Sequence, residues 1–214
     1  MARTKQLDNR HIEYLRAQIG SFINTHPHPA LQKGATFLTE SLEVWTVRSA
    51  DFFSRPPVDI DFSRALVNTG NWHHQLSQGG IPVGYAISGL ATSFAGGWTL
   101  RGLFVSNLAK QIGRAIETID RLRPQDDIEA HYLTIPSHKM VLFYLRGYSS
   151  EEVFVVKAMN ALAGPKEGEF YAPHELVRLC SQSKPVRGLK LNKQITLRTT
   201  SPSSLARPRK SESK

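Results

Sequence analysis

A single cysteine, Cys180, in 214 residues excludes an intrachain disulfide and any multi-cysteine zinc site. The start, MARTKQLDNR, is polar and no apolar stretch follows it, so no secretory signal pattern is present and a cytoplasmic location is expected. No internal repeat with a period of roughly 20–50 residues is visible, which argues against solenoids and propellers. Nucleotide motifs are missing too. The glycines match neither Gly-x-x-x-x-Gly-Lys-[Ser/Thr] nor Gly-x-Gly-x-x-Gly, and no cofactor motif stands elsewhere. The nearest approach to a hydrolase elbow, Ala86-Ile87-Ser88-Gly89-Leu90, lacks the first glycine that the strained turn needs.

Charge is absent over a long stretch. Between Arg64 and Arg101 lie 36 consecutive residues without Lys, Arg, Asp or Glu, among them Trp72, Trp98 and seven glycines. Such a run must be buried, membrane-facing or wrapped around something apolar. Its most apolar part, Ile81 to Leu100, is too rich in Gly, Ser and Thr for a spanning helix, so no transmembrane span is expected. Buried core with glycine-rich turns is the expected state of the segment.

Acidic residues are scarce at the C-terminus. The formal net charge is +9, and residues 184–214 supply +8 of it: Lys184, Arg187, Lys190, Lys193, Arg198, Arg207, Arg209, Lys210 and Lys214 against Glu212 alone. Residues 1–6 add Arg3 and Lys5, and 7–183 hold 16 basic and 17 acidic residues, close to neutral. Few large apolar residues stand in the tail, so it is expected to be largely disordered, with a short extended piece at Leu189–Leu197. The division is then a flexible basic N-terminus (1–6), a single domain (7–183) and a basic tail (184–214). At 40% hydrophobic residues, the chain has enough apolar surface for one core.

Periodicity predicts a helix over 8–24, with Ile12, Leu15, Ile19, Phe22 and Ile23 on one face and His26-Pro27-His28-Pro29 as its stop. A second helix is expected over 31–53, although the β-branched stretch Val44–Val47 makes a strand the alternative. Asp61 is placed to cap a helix at Phe62-Ser63-Arg64. The stripe Leu103/Phe104, Leu108, Ile112, Ala115, Ile116, Ile119 and Leu122 predicts a long amphipathic helix at the centre of the core. Short apolar runs at 129–135, 139–145 and 153–156 read as a small antiparallel meander, and a last helix carries Pro173 in its first turn. The expected fold class is α+β: N-terminal helices and the long central helix packed with a small antiparallel sheet, and a closing C-terminal helix.

Eight histidines invite a search for chemistry. His73 and His74 are adjacent, so on a helix or a strand they diverge and cannot grip one metal together. His26 and His28 share a turn, His131 and His138 flank the Pro136 bend, and His174 and Cys180 diverge on a helix. None makes a metal or nucleophile pattern. Asp59 and Asp61 share a face of an extended segment, where capping explains Asp61 with less. Cys180, beside Leu176, is expected to be a buried small hydrophobe.

The leading functional reading is a soluble, non-enzymatic interaction protein: a near-neutral body meets a protein or a second copy, and the basic tail engages nucleic acid or anionic lipid. The alternative is an enzyme or small-molecule-binding domain. Its pocket would form around Trp72, His73, His74, Gln75 and Trp98 with the glycine-rich segment 79–102. A peripheral membrane protein is the third reading.

Overall fold

The computed structural model describes residues 7–32, 34–47, 61–90, 97–124, 128–147, 150–158 and 164–182. Residues 1–6 and the basic tail therefore lie outside the described residues, as does Asp59.

The first element follows its local signals. Helix α1 (Asn9–Thr25) is capped by Asp8, whose side chain accepts from the Arg10 amide, and it buries Leu15, Ile19, Phe22 and Ile23. It stops ahead of Pro27, which keeps His26 out of the helical region.

The expectation of a helix over 31–53 is overturned, since the described residues there form β1 (Thr36–Val47). Gly34, at φ +75°, turns the chain into it. Leu42 and Val44 then bury at a spacing of two, and β1 pairs along its length with β2 (Leu66–Gln78). Helical apolar spacing over 37–45 is coincidental; the β-branched middle and a distant partner decide the element, and 48–53 lie outside the described residues. Between the two strands lies α2 (Phe62–Ala65), capped by the Asp61 carboxylate as expected.

The charge-free segment supplies β2, β3 (Ile81–Leu90) and the start of β4 (Trp98–Val105). Gly79 and Gly80, both at positive φ, make the two-residue turn between β2 and β3. Next come α3 (Asn107–Leu122), β5 (Glu129–Ile135), a 3₁₀ turn at Pro136–His138, β6 (Met140–Arg146), β7 (Glu151–Lys157), β8 (Phe170–Tyr171) and α4 (Pro173–Gln182).

All eight strands join one sheet in the order β4-β3-β2-β1-β5-β6-β7-β8. Every neighbouring pair is antiparallel except the central one, β1 and β5. This corrects the expected α+β architecture of a small antiparallel meander around a long central helix. The meander strands are β5–β7, three of the eight strands of a mixed sheet. The helix is also shorter than its stripe suggested: Leu103 and Phe104 belong to β4, and Ser106 caps α3 by accepting from the Leu108 amide. It is one of three longer helices laid on the sheet, not the centre around which a sheet is arranged. The order of four strands then a helix occurs twice, as β1–β4 with α3 and β5–β8 with α4.

Alternation along the strands sorts the core onto two faces. On one face α1 packs against Leu76, Ala86, Leu100 and Leu103, and α4 packs with Leu176, Val177 and Cys180 against Leu133, Leu142 and Val155. On the other, Ile112, Ala115 and Ile119 of α3 meet Leu42, Val44, Tyr132 and Phe143. With helices on both faces, the inner strands bury both alternations. Trp72 to Ser77 and Met140 to Leu145 are each buried without a break. Burial on both sides accounts for the lack of charge at Trp72–Ser77. Among the described residues no helix is long and apolar enough to cross a membrane.

Candidate functional site

The candidate group Trp72–Gln75 lies within β2, and the strand's period of two sends its members to opposite faces. Trp72 and His74 point to the α1 face; His73 and Gln75 point to the α3 face.

On the α1 face, Trp72 meets Trp98 edge-on at 6.1 Å, and His11 of α1 closes on Trp98 at 5.5 Å. The structure thus brings the two tryptophans together, under α1. His74 is fully buried and bonded at both ring nitrogens: Ser41 Oγ lies 2.9 Å from Nδ1 and Ser88 Oγ 2.6 Å from Nε2. A neutral imidazole has one donor and one acceptor, and two hydroxyls satisfy both. Burial holds its pKa down to about 4. Ser88 is itself sealed from solvent, and Ser41 is half-buried.

On the α3 face, His73 stacks on Tyr85 at 4.6 Å and meets the tilted ring of Tyr132 at 4.9 Å. Its Nε2 is buried without a hydrogen-bond partner. Burial and the neighbouring His74 lower its pKa to about 3. Gln75 donates from Nε2 to the Ala109 carbonyl of α3 at 3.2 Å, tying helix to sheet.

The other histidines are dispersed. His28 Nδ1 accepts from the Ala30 amide, and His26 stacks on Phe22 at 4.5 Å. Cys180 is buried with its thiol pKa pushed up to about 12 by burial, and it approaches Met140 Sδ at 3.9 Å. Among the described residues no group of three or more His, Cys, Asp or Glu is arranged to hold a metal ion. The anionic-partner candidates Lys184, Arg187, Lys190, Lys193, Arg198, Arg207, Arg209 and Lys210 lie outside the described residues.

Concavity is found elsewhere, at a place the sequence did not mark. Strands β1 and β5 pair only over Val44–Thr46 with Tyr132–Thr134. Below Val44 they part, leaving a cavity of about 240 Å³ lined by Leu42, Glu43, Trp45 and Asn68 on one side and Glu129 to Tyr132 on the other. Trp45 Nε1 donates to Glu43 at 3.2 Å, and the Trp45 ring meets His131 edge-on at 4.9 Å. His131 Nε2 lies 3.3 Å from the Glu129 carboxylate. Burial lowers the His131 pKa, against the pull of Glu129 and Glu43 upward, and Arg146 adds to the lowering. The slot thus offers an indole, a largely neutral imidazole and two carboxylates. Glu43/Trp45 and Glu129/His131 are each visible in the sequence as alternate residues. Their meeting depends on a strand pairing that no local signal encodes.

A second cavity, of about 350 Å³, sits at the end of α3 between Pro124, Leu145 and Gly147. Beside it Arg123 grips Glu152 with two hydrogen bonds, 2.7 and 2.9 Å, and lies over the Phe170 ring. Arg123 in turn holds the Glu152 carboxyl below its ordinary pKa. Comparison with family models, curated proteins and solved structures finds no match for this chain.

Proposed function

We propose that the protein works by binding: the folded body docks a protein partner, and the basic tail supplies attraction to a polyanion. The observation that carries this reading is the partition of charge, +8 on residues 184–214 against a body, 7–183, of 16 basic and 17 acidic residues. Cations concentrated on one segment release counterions from nucleic acid or an anionic bilayer without needing a shaped surface. The reading is also supported by the inward placement of His73 and His74. The only adjacent pair of proton-transfer groups in the charge-free segment is sealed in the core and held neutral.

The test is a titration against duplex DNA and anionic vesicles, with the full chain and with 1–183, at two salt concentrations. Binding should reside in the full chain. If six or more phosphates are neutralised, it should fall by roughly a thousandfold between about 50 and about 200 mM salt. Salt-resistant binding by 1–183 overturns it, and a preference for vesicles over DNA would favour the peripheral membrane reading.

A second reading rests on the slot between β1 and β5. Its volume, about 240 Å³, and its mixed lining of Trp45, His131, Glu43 and Glu129 suit a small hydrogen-bonding ligand. A thermal-shift screen of small amines and amides with wild type and with His131→Ala separates the two readings. A stabilising ligand whose effect is lost in H131A supports the slot.

A further inference from the structure

Three side chains at alternate positions of β2, Asn71, His73 and Gln75, face α3, and each carries a buried polar atom without a partner: Oδ1, Nε2 and Oε1 respectively. Buried polar atoms in native proteins nearly always find a partner in protein or ordered water. Although side chains two residues apart on a strand can reach one another, these three atoms are not bonded to one another.

We propose that this row is an internal hydration site, in which bound water molecules bridge Asn71 Oδ1, His73 Nε2 and Gln75 Oε1 beneath α3. Two of the atoms are amide oxygens and can only accept, so the occupant must donate. His73 Nε2 takes either role according to its tautomer, and water supplies both. The hydroxyl-bearing rings of Tyr85, stacked on His73 at 4.6 Å, and Tyr132, tilted against it at 4.9 Å, bring further polar groups to the same stretch. The occupant must be small, because α3 comes close at its glycine. A Cβ on Gly113 would lie 3.0 Å from Gln75 Nε2 and 3.2 Å from the Pro82 ring. At the other end, a Cβ on Gly89 would meet Arg101 Nε at 2.6 Å and Asn71 Oδ1 at 2.7 Å, so both ends of the row are tightly walled. Such close walls exclude a larger solute, and water, which bonds two to four polar neighbours, is the small donor that matches these atoms.

The site predicts a property that a dry polar seam would lack. Isotope-labelled full-length protein should show nuclear Overhauser cross-peaks between long-lived water and the His73 ring protons and the Gln75 side-chain amide. No such cross-peaks at either residue overturns the proposal. His73→Phe keeps a ring between Tyr85 and Tyr132 but removes Nε2. If water bonds that nitrogen, H73F should lose the cross-peaks at position 73 and lower Tm by about 2–6 °C. An unchanged or raised Tm overturns the proposal, because removing an orphaned polar atom costs nothing. Should H73F fail to fold, the wild-type cross-peaks decide alone.

Discussion

His74 is bonded at both ring nitrogens in the interior, and its two serine partners come from neighbouring strands on either side, β1 and β3. Ser88→Ala leaves Nε2 buried and unpaired and should cost about 1–3 kcal/mol, read from urea unfolding. The two core histidines also set a pH dependence. Their folded pKa values, about 3 for His73 and about 4 for His74, lie below the ordinary value of about 6.5 that the unfolded chain keeps. Between about pH 6.5 and 4 the unfolded state therefore binds more protons, and stability falls as pH falls. Each histidine contributes about 1.4 kcal/mol per pH unit in that window. Carboxylates with lowered pKa act in the same direction lower down, so the measurement is a difference: the slope for H73F should be shallower than that of wild type by one histidine's share. Equal slopes would place a charged His73 in the fold. At Cys180, buried and with its pKa pushed up to about 12, native protein should resist thiol reagents at neutral pH and react on unfolding.

The elements differ in how they are held. Helix α3 is amphipathic, with Ile112, Ala115 and Ile119 pressed into an aliphatic and aromatic bed on the sheet. Ile112→Ala should cost roughly 2–5 kcal/mol, the range for emptying a buried aliphatic site, measured by chemical denaturation. The β3–β4 pairing rests on close backbone approach. Gly84 faces Val105 in the register, and a Cβ there would come within 2.4 Å of the Phe104 carbonyl oxygen. Backbone cannot step aside as a flexible side chain can. Gly84→Ala should therefore destabilise by roughly 1–3 kcal/mol, as overpacking does, with faster amide exchange concentrated in β4.

At the scale of the molecule, two four-strand units share one sheet through the only parallel pair among the described residues, and the seam between them is where the slot opens. The last described helix, α4, ends at Gln182, one residue before the basic tail is cut in 1–183. Removing the tail should change the unfolding free energy by no more than about 0.5 kcal/mol, the scale of a surface change. A larger loss would mean that Leu189–Leu197 adds packing or pairing of its own.

What the sequence determined by itself is what a few neighbouring residues decide. The stripe of α1, the Asp61 cap of α2, the Ile112–Ile119 face of α3, the Pro173 start of α4 and the apolar runs of β5 to β7 were all legible, because their signals act within a turn or a strand. So was the need to bury the charge-free segment. Tertiary structure decided the rest. Val44, Trp45 and Val47 suit a helix face or a strand until β2 and β5 arrive, and the Thr46 hydroxyl bonds the Thr134 carbonyl 88 residues away. The same pairing opened the slot at Glu43 and His131 and turned a small meander into part of an eight-stranded sheet. Register between distant strands is a property of the assembled core, since each strand's pattern is satisfied by any partner that buries the same face.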